Sequence, residues 1–291
     1  MQSIAITIND AGQRLDKFLR KAFKGTPLSL IHKSIRKGLV RVNGKKKDSD
    51  FFLSEKDLLE IREDLFRNVS TTHAAPKPSF DIAPRILYES DEYILINKPA
   101  GIAVHGYPGH YKATVLEVLQ HYLKAQSNTA SLTFQPQLAH RLDRDTSGVV
   151  AVAKNAAALR YLAELFRTRA VDKKYLAIIE GSMLPRNGTL DQPLTNKEGK
   201  TQEARTGYRT MRTENGLSLL ECTLHTGRMH QIRRHLADAG HPIAGDDLYR
   251  GKKNKQLLLH SSTLSFAAQD GQRISVKAPL PDYFMELIET T

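Results

Sequence analysis

The strongest constraint on the fold is an unbroken apolar segment in the middle of the chain, from Val149 to Ala153. A strand without polar residues needs cover on both faces, as the inner strands of a sheet have. The preceding segment, 140–146, is instead highly charged and reads His-Arg-Leu-Asp-Arg-Asp-Thr. We therefore expect this charged loop to lie at the mouth of a hydrophobic core.

Strands and helices interleave through the C-terminal two thirds of the chain without a regular βαβ repeat. The patterns predict a helix capped by Asn155, a strand over 175–179, a half-buried strand from Leu217 to Leu224, and a helix over 229–239. This order favours an α+β fold whose sheet is mixed and mainly antiparallel.

The N-terminal residues predict a small, strongly basic unit. A strand over 4–8 precedes two amphipathic helices, over 13–23 and over 29–37, the second with Ser29 as its N-cap. A strand then runs into an Asn43–Gly44 turn. Between residues 14 and 47 there are 12 lysines and arginines against one acidic residue, while the whole chain carries +12. Nucleic acid is the most common anionic partner of such a surface.

Composition divides the chain and excludes several classes of protein. Residues 66–80 have no periodicity and contain small, polar and proline residues, so we predict a domain at 1–65, a linker at 66–84 and a second domain at 85–291.

With 40% hydrophobic residues, the chain has enough apolar side chains for a core. The single cysteine, Cys222, forms no internal disulfide, which fits the cytoplasm. Without a signal peptide or an apolar segment of about 20 residues, we expect a soluble protein with no membrane association. We also expect a monomer.

Motifs for cofactors are missing from the sequence. There is neither a G-x-G-x-x-G nor a phosphate-binding G-x-x-x-x-G-K-[ST] loop. Histidines cluster at 225–241, but His230 and His235 are five residues apart and point about 140° apart on a helix, which does not suit zinc. We therefore predict no metal and no cofactor.

The charged loop contains a carboxylate, Asp143, between Arg141 and Arg144. Nearby positive charge favours the ionised form, which suits a nucleophile or an electrostatic stabiliser better than a general acid. The structural alternative is that Asp143 and Asp145 only brace a turn through salt bridges. Further along, Arg233 lies at the border of a helix's apolar face, where a guanidinium needs a carboxylate partner, and Asp143 is the candidate.

Three ordered motifs resemble those of the large-subunit-type RNA pseudouridine synthases. They are H-R-L-D-x-x-T-S-G at 140–148, K-x-Y-x-A-x-x-x-G at 173–181 and T-G-R-x-H-Q-I-R-x-H at 226–235. The basic N-terminal unit is similar to the S4 RNA-binding module. The resemblance covers nearly the whole chain and implies an S4-like domain followed by a catalytic domain with a central active-site cleft.

The resemblance also implies roles for individual residues. Asp143 matches the catalytic aspartate, as a nucleophile at C1′ or as a base at C2′, a choice that the sequence leaves open. Tyr175 would pack on the base, Arg233 would pair with Asp143, and Arg141 would fill the space left when the target nucleotide flips out of its stack. The isomerisation of uridine to pseudouridine would need no cofactor.

The implied partner is RNA, most of all 23S ribosomal RNA or a large-subunit precursor. We expect seven basic residues of the S4-like domain to contact its phosphates: Arg14, Lys17, Lys33, Arg36, Lys37, Arg41 and Lys45. Three alternatives stay open: a pseudouridine synthase for transfer RNA, a non-catalytic RNA-binding factor in ribosome assembly, and a metal-dependent nuclease or deaminase.

Overall fold

The computed structural model describes residues 2–62, 80–106, 113–126, 131 and 133–284. The chain forms two compact units, one of Met1–Lys77 with Leu119–Pro136 and one of Pro78–Val118 with Gln137–Thr291. Most of the predicted linker lies outside the described residues, so the limits at 65 and 85 stay predictions. None of the described helices is long and apolar enough to cross a membrane.

The N-terminal unit packs two helices against a small antiparallel sheet with strand order β1-β3-β2. Its elements are β1 (Gln2–Ala5), α1 (Leu15–Ala22), α2 (Leu28–Arg36), β2 (Val40–Val42) and β3 (Leu58–Ile61). The predicted Asn43–Gly44 turn is present, with φ of 52° and 73° at the two residues. These positive angles are those that a tight type I′ turn requires.

Two predictions for this unit were wrong in detail. The strand expected over 4–8 ends at Ala5, because the chain turns where the Asp10 amide bonds to the Thr7 carbonyl oxygen. The predicted cap Ser29 lies within the first turn of α2, which begins at Leu28 directly after Pro27. Proline's fixed φ suits the start of a helix, so the helix begins earlier than the serine indicates.

Asp10 explains why a distant segment belongs to the N-terminal unit. Its Oδ1 accepts hydrogen bonds from Ser131 Oγ at 2.6 Å and from Thr133 Oγ1 at 2.7 Å, and its Oδ2 accepts one from Thr7 Oγ1 at 2.7 Å. Burial alone would raise the pKa of Asp10, but these hydrogen bonds outweigh it and lower the pKa. The ionised carboxylate therefore joins the N-terminal residues to Ser131 and Thr133.

The second unit is built on a large sheet, which has ten strands within the described residues. Its order is β4-β5-β7-β14-β8-β13-β12-β9, with β6 paired to β7 and β15 paired to β14. The elements after β3 are β4 (Ile86–Glu89), β5 (Tyr93–Lys98), α3 (Val115–Gln126), β6 (Gln137–Leu138), β7 (Ser147–Ala153), α4 (Ala156–Arg167), β8 (Asp172–Glu180), β9 (Asn187–Leu190), β10 (Leu194–Thr195), β11 (Thr201–Gln202), β12 (Thr206–Glu214), β13 (Leu217–Leu224), α5 (Gln231–Asp238), β14 (Leu259–Ala267) and β15 (Arg273–Lys277).

The prediction of a mixed, mainly antiparallel sheet is confirmed. Strands β7 and β14 pair in parallel, and the other described pairs of this sheet are antiparallel. All seven residues of β7 are buried. The helix α4 has the predicted cap, with Asn155 Oδ1 accepting a hydrogen bond from the Ala158 amide at 2.8 Å. Its buried residues Ala158 and Leu162 join the same core as β7.

The helix predicted over 229–239 is shorter in the structure, where α5 spans Gln231–Asp238. The residue before it, His230, has a left-handed backbone with φ of 52°. A right-handed helix cannot include this conformation, so α5 starts only after His230.

Gly148 is required for the parallel pairing at the start of β7. It lies opposite Ser261 of β14, has φ of 110°, and a Cβ at this position would be 2.1 Å from the Ser261 carbonyl oxygen. The backbone of two strands therefore fills the space that any side chain needs, directly after the charged loop.

We predict that Gly148→Ala lowers the free energy of unfolding by about 3 kcal/mol, through collision and backbone strain together. Gly271→Ala is the matched control, since Gly271 also has a positive φ of 85° but has no atom within 4 Å of the added Cβ. Its cost should be about 1 kcal/mol. Urea denaturation measures both, and equal costs would show that the contact with Ser261 is unimportant.

Candidate active site

The loop from His140 to Thr146 is held by a buried lysine that the sequence patterns did not single out as a site residue. Lys98 ends β5, is fully buried, and donates hydrogen bonds to the carbonyl oxygens of Pro99 at 2.8 Å, Ile102 at 2.9 Å and Arg144 at 2.7 Å. Burial lowers the pKa of Lys98 to about 7, although the charges of Asp145 and Asp143 oppose this. Its three bonds fix the backbone next to Asp143.

The other end of the loop is anchored by His140. Its Nε2 accepts a hydrogen bond from the Ala151 amide at 2.8 Å, and its ring stacks on Phe166 with the centroids 4.5 Å apart. Burial lowers the pKa of His140 to about 3, so the ring is neutral and its Nε2 can accept that bond. This first residue of the motif therefore has a structural contact with β7.

Part of the motif at 226–235 holds α5 against the sheet. Gln231 Nε2 donates to the Arg205 carbonyl oxygen at 3.0 Å and to Thr206 Oγ1 at 2.9 Å, while its Oε1 accepts from Thr226 Oγ1 at 2.6 Å. His235, fully buried, forms a further hydrogen bond with Thr206 Oγ1 at 3.0 Å. These bonds fix the orientation of α5 and of the arginine that it carries.

Arg233 lies between two carboxylates. Its Nε and Nη2 bond to Asp246 Oδ2 and Oδ1, each at 2.7 Å, while its Nη1 is 3.4 Å from Asp143 Oδ2. The predicted contact with Asp143 is present, but the stronger partner is the fully buried Asp246. Burial alone would lower the pKa of Arg233, yet the two carboxylates raise it. The guanidinium therefore stays charged beside Asp143.

Asp143 faces a cavity of about 590 Å³. Its side chain is 23% exposed, and its Oδ1 is 3.7 Å from His230 Nε2. Arg141, exposed, lines the same cavity. Arg144 bonds instead to Asp145, through Nε at 2.9 Å and Nη2 at 3.0 Å. The bracing role that the sequence left open for both carboxylates is present at Asp145, which pairs with Arg144 although both also line the cavity, whereas Asp143 pairs with Arg233 of α5.

Tyr175 lies on β8, between Cys222 of β13 and Ser261 of β14. It is only 7% exposed, and burial raises the pKa of its phenol to about 12, with a smaller contribution from the charge of Asp143. The hydroxyl is therefore protonated at neutral pH. Among the described residues, those that line the cavity do not include Tyr175.

The remaining expectations concern metals and the basic surface. Within the described ranges, no group of three or more His, Cys, Asp or Glu side chains could hold a metal ion. Six of the seven expected RNA-binding residues are exposed: Lys17, Lys33, Arg36, Lys37, Arg41 and Lys45. The seventh, Arg14, is partly covered and is engaged by Asp16, whose Oδ2 lies 2.8 Å from its Nη2.

Three residues at this site escaped the sequence-based interpretation. Asp246, His230 and Tyr249 have no role among the predicted site residues, although His230 belongs to the motif at 226–235. Tyr249 Oη lies 3.0 Å from His230 Nδ1, and its ring lies 5.1 Å from the Arg233 guanidinium carbon. The sequence feature that could have indicated them is the short spacing of Asp246 and Tyr249, three residues apart, soon after the helix that carries Arg233.

The comparisons with known proteins identify the family to which this carboxylate–arginine site and its basic N-terminal unit belong. Residues 92–238 match the RNA pseudouridylate synthase family and residues 13–59 match the S4 domain. The chain belongs to the RNA pseudouridine synthase family and carries an N-terminal S4 domain, which confirms the predicted resemblance.

The individual proteins to which the chain is similar are also named as pseudouridine synthases. The chain is 36% identical to ribosomal large subunit pseudouridine synthase C of Escherichia coli O157:H7, over 96% of this chain and 93% of the relative. The protein of that name from Salmonella typhi is also 36% identical, over 98% and 95% of the two chains. Among solved structures, human RNA Pseudouridylate Synthase Domain Containing 4 matches 72% of this chain and 93% of its own, with 27% identity and a TM-score of 0.64.

We predict that Asp246→Ala lowers the free energy of unfolding by about 3–5 kcal/mol, because it leaves the Arg233 charge buried without its main partner. The double variant Arg233→Met/Asp246→Leu, which removes both charges, should recover most of this stability but not the isomerase activity. Asp145→Ala, which breaks an exposed pair, should cost about 1 kcal/mol or less. Chemical denaturation measures all three. A double variant as unstable as Asp246→Ala would contradict this account.

Proposed function

We propose that this enzyme isomerises specific uridines of 23S ribosomal RNA, with Asp143 as the catalytic carboxylate. The observation that carries this proposal is the position of Asp143, beside the charged Arg233 and facing the cavity. The substrate follows from the relatives, whose names specify the ribosomal large subunit. We also propose that the protein acts in the cytoplasm as a monomer.

The reaction defines what the site must do. The N1–C1′ bond of uridine breaks, the base turns within the site, and C5 bonds to C1′, so the formula of the nucleoside is unchanged. Because there is no net oxidation, reduction or hydrolysis, the chemistry demands no cofactor. Asp143 acts either as the nucleophile at C1′ or as the base at C2′, and Arg233 orients its carboxylate in both cases.

Two other residues complete the proposed site. Tyr175, protonated and held between β13 and β14, supports the base by packing against it, although it does not itself line the cavity that Asp143 faces. Arg141, exposed at the cavity, occupies the space that the flipped nucleotide leaves in its stack. The basic S4 domain binds phosphates and holds the RNA in register, without reading much sequence itself.

We predict that Asp143→Asn lowers kcat by at least about 10³-fold while RNA affinity stays within about twofold, because only the reacting carboxylate is lost. Asp145→Asn is the matched control, since it removes the neighbouring carboxylate that pairs with Arg144. Pseudouridine yield and filter binding measure the two quantities. Unchanged pseudouridine yield in Asp143→Asn would contradict the catalytic role of Asp143. No pseudouridine from the wild-type protein would favour the non-catalytic alternative, and loss of wild-type activity in EDTA would favour the metal-dependent one.

The S4 domain generates a separate prediction. Lys33→Gln/Lys37→Gln should reduce the slope of log K against log [salt] by about 1.4–1.8, because each lost phosphate contact releases one counterion fewer. Lys197→Gln/Lys277→Gln removes two exposed lysines outside this domain and should leave the slope nearly unchanged. Equal changes in the two double variants would contradict a special role of the S4 domain.

A further inference from the structure

His230 occupies a conspicuous position that the proposed roles do not use. It lies on the wall of the cavity, directly before α5, and its Nε2 is the ring atom nearest to Asp143, 3.7 Å from Oδ1. Its backbone is left-handed, with φ of 52°, a conformation that costs a residue with a side chain about 1–2 kcal/mol. The surrounding structure thus keeps this ring at the cavity against a local conformational cost.

The ring is held from its other side by Tyr249. Tyr249 Oη lies 3.0 Å from His230 Nδ1, and the two rings meet edge to face with centroids 5.7 Å apart. Tyr249 is itself fixed beneath the guanidinium of Arg233. When the tyrosine oxygen accepts a hydrogen bond from Nδ1–H, the lone pair of Nε2 is directed to the side of Asp143 and the cavity.

Burial favours the neutral form of His230, while the nearby charges act in both directions. Burial lowers its pKa, and the positive charges of Arg233 on α5 and Arg141 on the loop lower it further. Asp143 and Asp246 act in the opposite direction but do not compensate, so the pKa stays below the usual 6.5. Tyr249 contacts the ring as well, and the charged residues Arg144, Asp145, Asp247 and Lys255 line the same cavity. In the tautomer that carries its proton on Nδ1, the neutral imidazole presents Nε2 as a proton acceptor.

The reaction needs such an acceptor late in its course. Once C5 has bonded to C1′, C5 carries both the sugar and its original hydrogen, and the ring regains its C5–C6 double bond only when that proton leaves. Asp143 acts earlier, on the sugar. We propose that His230 Nε2 takes the C5 proton. This proposal rests on the proposed function and deepens it, since it assigns a second reacting group in the same site.

The proposed step balances without a further reactant. The electron pair of the C5–H bond forms the C5–C6 double bond, the pair of the C6–N1 double bond moves to N1, and N1 takes a proton from water. The His230 imidazolium, next to the Asp143 carboxylate, returns its proton to water. No bond to the enzyme is made or broken in this step apart from the N–H bond.

The test compares two substrates with the full-length variant His230→Gln. On RNA whose target uridine carries hydrogen at C5, kcat should fall by about 10²-fold, as for the loss of a general base. In His230→Gln, a primary isotope effect should appear when the target uridine carries deuterium at C5, because removal of the C5 proton becomes rate-limiting in this variant. On RNA with 5-fluorouridine at the target, which has no C5 proton, His230→Gln should form the C-glycoside at the same rate as the wild-type enzyme.

Two further measurements separate the possible outcomes. The wild-type enzyme should lose activity as the pH falls through the lowered pKa of His230, and His230→Gln should lack this acid limb. His225→Gln, a change in a histidine that does not line the cavity, should behave like the wild type. An equal loss on uridine and 5-fluorouridine would overturn the proposal and show that His230 only positions Asp143. If Asp143→Asn retained activity on both substrates, the proposed function itself would fail, whatever the result for His230.

Discussion

The parallel pairing of β7 with β14 is the constraint on which the second unit depends. Because Gly148 leaves no room between its backbone and the Ser261 carbonyl oxygen, the two strands fit closely where the charged loop ends. Buried on both faces, β7 cannot shift by a residue without placing its apolar side chains elsewhere. The loop before it therefore has a fixed end at the start of β7, four residues after Asp143.

Buried polar groups connect the sheet to the loop and to the helix that form the site. Lys98 binds three carbonyl oxygens, one of them that of Arg144 in the loop, and Gln231 links α5 to the start of β12. A buried donor that loses its acceptor costs about 1–3 kcal/mol, so each network favours one arrangement strongly. The motifs at 140–148 and 226–235 thus contain residues of two kinds, those that hold the backbone and those that face the cavity.

Local patterns in the sequence predicted the elements and the principal pair of the site. Alternation and capping located β13 and α4, and the border position of Arg233 on its helix indicated its contact with Asp143. The partners of Lys98 and the dominant partner of Arg233 could not be predicted in this way. Lys98 and Arg144 are 46 residues apart in the sequence, and Asp246 reaches Arg233 because the chain turns back after α5. Both contacts therefore depend on the tertiary fold rather than on local sequence patterns. The place of His230 beside Asp143 could not be predicted either, because it depends on how the residues before α5 pack against the charged loop.

A single guanidinium influences both groups that the proposed mechanism uses. Arg233 stays charged because Asp246 compensates its burial, and its positive charge attracts the Asp143 carboxylate at 3.4 Å. The same charge opposes a second cation nearby and so helps to keep His230 neutral. The proposed roles need a carboxylate anion, which acts on the sugar, and a neutral imidazole, which acts on the ring, at a separation of 3.7 Å. One fixed cation held by a buried carboxylate supports both states, and for this reason Asp246, which does not line the cavity, matters to the chemistry.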